Sequence, residues 1–297
     1  MLAGLQRLTT VGIVLLALLW AGAALSLGRP GWACGGAALV VFAYAIVLAA
    51  EFVLLHRAHG SDPTPVAGPS LLLRAWWGEV RSAPVVFCWR QPFLSERWPD
   101  RVPTDARGRR GLLLVHGFVC NRGLWNPWLA RLHARGTPFI AVDLEPVFGS
   151  IDDYIQIIER AVTRLEAATG LAPVVVAHSM GGLALRRWWA GQRSGDRLHH
   201  AVTIATPHHG TWLARFALTP NGRQMRRDSR WLQSLSRLEP PSRAARFTCF
   251  YGHCDNIVFP PGTATLAGAD NRHLAGVAHV HMVYQAEPWQ EVVRWLD

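Results

Sequence analysis

The run Val174-Val175-Val176-Ala177-His178 passes directly into Ser179-Met180-Gly181-Gly182, and this junction is where the chain offers chemistry. A continuous apolar run of that length reads as a strand buried on both faces. The residues after it, from Met180 to about Arg193, read as a helix. A serine on a sharp strand-to-helix turn projects its hydroxyl into the open end of a sheet, where it can act as a nucleophile. The turn strains the serine backbone and demands small neighbours. Gly181 supplies one, two residues after the serine. Ala177 stands two before it, where the commoner G-x-S-x-G pattern has glycine. A methyl group still lets backbones approach. The N–H of Met180, first in the helix, points at the oxyanion that attack on a carbonyl would create.

A serine nucleophile needs a base, and the base needs an acid to orient it. On an elbow of this kind both follow the serine in the chain, acid first. Arg246 to Gly252 reads as a strand, and Asp255 lies just past its end. Asp270 is the rival acid, less favoured because no buried strand leads directly into it. Two histidines, His279 and His281, compete as base on the loop before the terminal helix. Upstream, Leu112-Leu113-Leu114-Val115 runs into His116-Gly117-Phe118. Gly117 permits a close turn there, and the Phe118 N–H is a second donor for the oxyanion. His116 reads as structural. His208 and His209 lack further ligands at telling spacing, so no metal site is expected.

These residues need a scaffold of alternating strands and helices. Strands are expected at Gly111–Gly117, Pro138–Leu144, Pro173–His178, His200–Thr206 and Arg246–Gly252. Helices are expected near Leu124–Ala134, from Ile151 to Gly170 behind the N-cap Ser150, after Met180, and from Pro288 onward. Alternation of this kind implies a mostly parallel sheet with helices on both faces. Ala83–Trp89 and Phe93–Trp98 read as a leading antiparallel pair of strands. Residues 211–245 lack strand character and carry Trp212, Phe216, Leu218 and Trp231 among arginines, which makes them a candidate lid.

The N-terminal part has a different character. No charged residue occurs between Arg7 and Arg29, and a second apolar run follows the Gly28-Arg29-Pro30-Gly31 turn as far as Leu55, broken only by Glu51. Two helices, about 8–27 and 32–55, are each long enough to cross a bilayer, and form a hairpin over 1–56. An export signal is the alternative for the first. Residues 57–82 read as a linker with a helix at Leu71–Val80 that lies along the membrane interface or packs on the domain, and 83–297 as the catalytic domain. The basic residues outside the turn place both termini, and the catalytic domain, in the cytoplasm, with the periplasm as the alternative. Glu51, near its helix end, reads as an interfacial residue rather than a functional intramembrane acid.

The net charge is +10, and all 30 basic residues are arginine. No finger spacing, aromatic RNA-binding motif or arginine block accompanies that charge, so nucleic acid is not an expected partner. Five cysteines, Cys249 and Cys254 among them, match no disulfide framework.

From about Gly111 to the C-terminus the sequence resembles the bacterial triacylglycerol lipase and esterase branch of the α/β-hydrolase superfamily. The resemblance rests on LLLVHGF (112–118), the alanine-first elbow AHSMGG (177–182), ATPHHGT (205–211), GHCDNIV (252–258) and GVAHVHMVY (276–284). In that family a G-x-x-H run precedes the base, and GVAH matches it at His279. His281 falls where a small residue is common. The resemblance implies an α/β-hydrolase fold, acyl-ester substrates and no cofactor. The expectation is therefore a membrane-anchored serine hydrolase in the bacterial inner membrane, cleaving lipid-like carboxylic esters through Ser179, His279 and Asp255. An acyltransferase or thioesterase on the same triad, or a catalytically silent scaffold that binds a partner, are the alternatives.

Overall fold

The computed structural model describes all 297 residues. Six short strands form one fully parallel sheet: β1 (Leu112–Val115), β2 (Phe139–Val142), β3 (Val174–His178), β4 (His200–Ile204), β5 (Phe247–Tyr251) and β6 (Asp270–His273), in the order β2-β1-β3-β4-β5-β6. The order reverses between β1 and β3, where Val115 pairs with Ala177. Such a switch point opens a crevice beyond the carboxyl ends of the strands.

The apolar runs of β1 to β4 are buried throughout. Helices on both faces explain this. Leu113, Val115 and Val175 meet Ile158, Val162 and Leu165 of α6 (Ile155–Thr169) and Trp188 of α7 (Met180–Ala190). On the other face Leu112, Leu114 and Val176 meet Trp128 and Leu129 of α5 (Asn126–Arg135) and Val292 of α10 (Ala286–Leu296). The turn of Ile151–Tyr154 that leads into α6 is opened by a capping box of Ser150 and Asp153. Gly170 ends α6 at φ 73°, a conformation glycine adopts without strain.

Two long apolar helices precede the sheet. α1 (Leu2–Ser26) and α2 (Pro30–Arg57) run antiparallel around the turn at Gly28. Trp20 Nε1 donates to the Trp32 carbonyl at 2.8 Å, and Gly36 leaves room for the Trp20 ring. Both helices exceed the expected 8–27 and 32–55. The feet of the hairpin dock on the sheet domain. Phe52 and Leu55 pack with Cys254, Phe259 and Ala278, while Gln6 of α1 bonds Gln91 at 2.6 Å.

Residues 83–98 do not form the expected strand pair. α3 (Pro69–Pro84) continues through a π-helical turn over Val85–Arg90 into α4 (Gln91–Phe93). A short apolar run is compatible with strand or helix, and here packing of Val86 and Gln91, both buried, against β1's neighbourhood and α1 decides for helix. The expected boundary at 82/83 falls inside this continuous helical stretch. β6 was not anticipated; only four polar residues build it, at the sheet edge. Residues 211–245 carry α8 (Pro220–Gln224) and α9 (Arg230–Leu238), held to the domain by Asn221 on the Val147 carbonyl, Trp231 on Asp152 and a buried Arg186–Glu239 pair. All five cysteines are free thiols.

Leu113 is fully buried at the centre of the sheet. Leu113→Ala removes about 2–5 kcal/mol of stability through lost burial and a residual cavity. A denaturant titration of the purified protein reads this as a lowered midpoint with an unchanged slope.

Candidate active site

Three strand ends and one late loop converge at the crevice. β3 leads straight into Ser179, whose backbone sits at φ 53° and ψ −128°. That region is costly for a side chain bearing a Cβ, and it persists only where surrounding contacts over-determine it. Those contacts are visible. The Ser179 N–H donates to the Ile204 carbonyl at 2.9 Å, and the Gly182 N–H to the Ser179 carbonyl at 3.0 Å. A Cβ on Gly181 would lie 2.4 Å from the His116 carbonyl oxygen, and one on Gly117 would lie 2.8 Å from the Ser179 Cβ. Glycines at 117 and 181 therefore let the β1 loop touch the elbow. Ala177 is fully buried on β3, where its methyl belongs to the core.

Phe118 follows Gly117 on the β1 loop, and Val119 after it takes φ 53°. Met180 is the first residue of α7, a position whose N–H has no acceptor within the helix. His116 is fixed as a neutral ring: Nδ1 bonds the Gly117 carbonyl at 2.9 Å, and Nε2 accepts the Leu144 N–H at 3.0 Å. It braces the loop.

Asp255 and His279 meet. His279 Nδ1 lies 3.0 Å from both carboxylate oxygens of Asp255. Asp255 Oδ1 also accepts the N–H groups of Ile257 and Val258 at 2.9 and 2.8 Å, which fixes the carboxylate before the histidine arrives. Both side chains are buried. Burial pulls the His279 pKa down, but Asp255, with Glu79 and Glu51 farther off, more than offsets this and holds it above the ordinary 6.5. The His279 ring lies against the ring of His178, the residue before Ser179, at 4.7 Å between centroids. His178 Nε2 reaches the His279 carbonyl at 3.4 Å. No hydrogen bond joins His279 to the Ser179 hydroxyl in this structure; such bonds often tighten only when substrate binds.

The rivals lie elsewhere. Asp270 is exposed on β6 and paired with Arg272 at 2.7 Å. The His281 ring sits beside Gly78 of α3, and burial with Arg74 and Arg81 pushes its pKa down. His208 is buried between Arg186, Thr203 and Cys249.

Two residues around His279, Asn256 and Glu79, have no counterpart in the sequence reading, and a third, Glu51, reads there only as an interfacial residue. Asn256 accepts the His279 N–H on Oδ1 at 3.2 Å and donates from Nδ2 to Glu51 at 2.6 Å. Glu79 accepts the N–H groups of Val280 and His281, each at 3.0 Å. Burial pushes the Glu79 pKa up to about 7, against the pull of those donors and of His279. A glutamate in an amphipathic helix is ordinarily a solvated residue, and nothing in its local pattern marks this one as buried.

Gly181 is the tightest point of the elbow, because the atom its Cβ would meet is backbone that cannot rotate away. Gly181→Ala lowers stability by about 1–3 kcal/mol through overpacking. Gly191→Ala, whose Cβ would make only a 3.5 Å contact, is the control and stays within about 0.5 kcal/mol of wild type. Thermal melts of the two variants side by side check this.

Comparison with known proteins adds a family. The model of an alpha/beta hydrolase family matches residues 112–296. No curated protein matches the sequence. Among solved structures, lipase B of Aspergillus fumigatus is similar at 18% identity and a TM-score of 0.54, covering 64% of this chain and 53% of that one. The mature form of the Bacillus licheniformis lipase BlEst2 is similar at 15% identity and a TM-score of 0.56, covering 65% of this chain and 95% of that one. The chain thus spans about half the length of the Aspergillus enzyme. At these identities the likeness is one of fold. The family match runs over well more than half of the chain and coincides with the parallel sheet and its elbow, and on that ground the protein belongs to the alpha/beta hydrolase family.

Proposed function

We propose that this protein is a membrane-anchored serine hydrolase that cleaves carboxylic esters with a lipid-like acyl group. The observation that carries the reading is the buried Asp255–His279 pair packed against His178, the residue before a serine held at φ 53° on a strand-to-helix turn. In this reading His279 Nε2 takes the Ser179 proton as the oxygen attacks the ester carbonyl. Asp255 holds Nδ1–H and stabilises the imidazolium that forms. The N–H groups of Phe118 and Met180 receive the tetrahedral oxyanion. His279 returns the proton to the departing alkoxide. Water, deprotonated by the same ring, then releases the acid from Ser179. Each of these groups comes from this chain, and no step calls for a cofactor.

Three features support a lipid-like substrate and a membrane anchor. α1 and α2 have 25 and 28 residues, and the shorter spans about 38 Å at about 1.5 Å per residue, enough for a bilayer core of about 30 Å. Leu73, Trp77, Val85, Trp89 and Phe93 expose an apolar edge along α3 to α4, as an interfacial helix would. A groove of about 690 Å³ opens between the foot of α2 and α3, lined by Phe52, Val53, Leu72 and Trp76 and rimmed by His56 and Arg57. The basic residues at the hairpin's feet favour a cytoplasmic domain; the periplasmic orientation is the alternative. Within 211–245, the exposed Phe216 and Leu218 between the pinned anchors are the part that can act as a lid.

Purified full-length protein in detergent should hydrolyse p-nitrophenyl esters, with longer acyl chains preferred. Ser179→Ala should lose at least about 1,000-fold of that activity. Equal hydrolysis by both proteins would sink the proposal, and absent hydrolysis by a folded wild type would shift it to thioester or acyl-transfer chemistry.

The base must be neutral to act, so kcat/KM should fall as pH drops through the His279 pKa. Because that pKa is raised, the acid limb should have its midpoint above 6.5. A limb centred well below 6.5 would contradict the Asp255–His279 assignment.

A further inference from the structure

The loop that carries His279 is held by more than its acid. Three consecutive backbone N–H groups, of His279, Val280 and His281, all end on side chains: Asn256 Oδ1 for the first and the two Glu79 oxygens for the others. Asn256 is itself oriented by Glu51, whose Oε2 accepts its Nδ2–H. Two of the three groups in this arrangement lie outside the residues matched to the family. Glu51 sits on α2, six residues from its end, and Glu79 on α3. The contact with α3 is close. A Cβ on Gly78 would come 2.4 Å from His281 Nδ1.

We propose that Glu79 and Glu51 are positioning residues for His279, so that the base stands at its working place only while α2 and α3 are docked on the domain. This rests on the reading of His279 as the base. Glu79 is wholly enclosed, 2% exposed, and a carboxylate there carries a desolvation cost that a neutral side chain would avoid. What the charge adds is twofold. A carboxylate accepts two N–H groups at once, where an amide offers one oxygen. It also favours the protonated ring that forms at His279 during attack. The charged and titratable groups facing this loop are Asp255 from the β5 end, His178 from β3, Glu51 from α2, and Glu79, with Arg74 and Arg81 of α3 facing His281. The hairpin is thus a working part of the site as well as an anchor. Lifting the foot of α2 removes the Glu51 brace from Asn256, and lifting α3 frees the amides of Val280 and His281.

The test uses the full chain in detergent with Glu79→Gln, Glu51→Gln and the double variant. Glu291→Gln, a buried glutamate on α10 bonded to Trp295 and Arg272, is the control. Active sites are counted by the p-nitrophenol burst, and kcat is expressed per active site. Glu79→Gln should lower kcat about 10- to 100-fold with KM within about twofold. Its acid limb should move to lower pH by about a few tenths of a unit, because Glu79, with its pKa pushed up to about 7, is partly ionised there and that charge facing His279 is gone. The double variant should lose more than either single. Glu291→Gln should leave kcat per site and the acid limb in place. Hydrogen exchange read by mass spectrometry should speed up in the peptide spanning 279–284 and stay slow in β3.

Wild-type kcat per site and an unmoved limb in Glu79→Gln would overturn the proposal. So would a loss confined to the number of burst sites, which marks a folding role alone. Should the wild type prove inactive, the hydrolase reading fails by that result. The clamp is then judged by exchange, and unchanged exchange at 279–281 in Glu79→Gln overturns it independently.

Discussion

At the turn from β3 into α7, two stretches of backbone come within a side chain's width of each other. The carbonyls of Val115 and His116 press against Gly181, and Gly117 presses against Ser179. A turn this tight forces Ser179 to φ 53° and would be unstable alone. It is held because β3 lies between β1 and β4 in a sheet buried on both faces. The Ile204 carbonyl holds the Ser179 N–H on one side while the β1 loop closes the other. Ser179 is therefore set by one piece of packing, between the buried strands and the β1 loop.

His279 is placed by a different route. His279 is about a hundred residues downstream, on a loop with no regular structure of its own. A loop has no ladder to hold it, so its position depends on individual bonds. Asp255 fixes the ring, Asn256 and Glu79 fix the backbone, and the His178 ring packs at a tilt beside it. Two of these holds trace back to the N-terminal helices. Docking the apolar hairpin on the hydrolase domain in this way ties α2 and α3 to the loop that carries His279.

Much of this was legible in the residues. Strands buried on both faces are spelled as continuous apolar runs, and Leu112–Val115, Phe139–Val142 and Val174–His178 could be placed for that reason. The elbow was legible because its strain demands small residues at fixed offsets. Asp255 could be placed just past a strand end, and there it meets His279. Residues 83–98 were not legible. Val85-Val86-Phe87-Cys88-Trp89 has the composition of a strand, and only its packing against α1 and α4 makes it helical. β6 was missed because a polar edge strand has no apolar pattern. Glu79 and Asn256 were not legible, and Glu51 reads only as an interfacial residue, because a residue that braces another through long-range bonds leaves no local spacing to read.

The account turns on Ser179 being the activated nucleophile, and one measurement addresses that directly. The full-length protein is treated with a fluorophosphonate, digested, and the modified peptide identified by mass spectrometry. The account predicts a single adduct on Ser179, formed quickly in the wild type and at least about 100-fold more slowly when His279 is changed to alanine. A folded protein that takes no label at Ser179, or takes it equally well without His279, would contradict it.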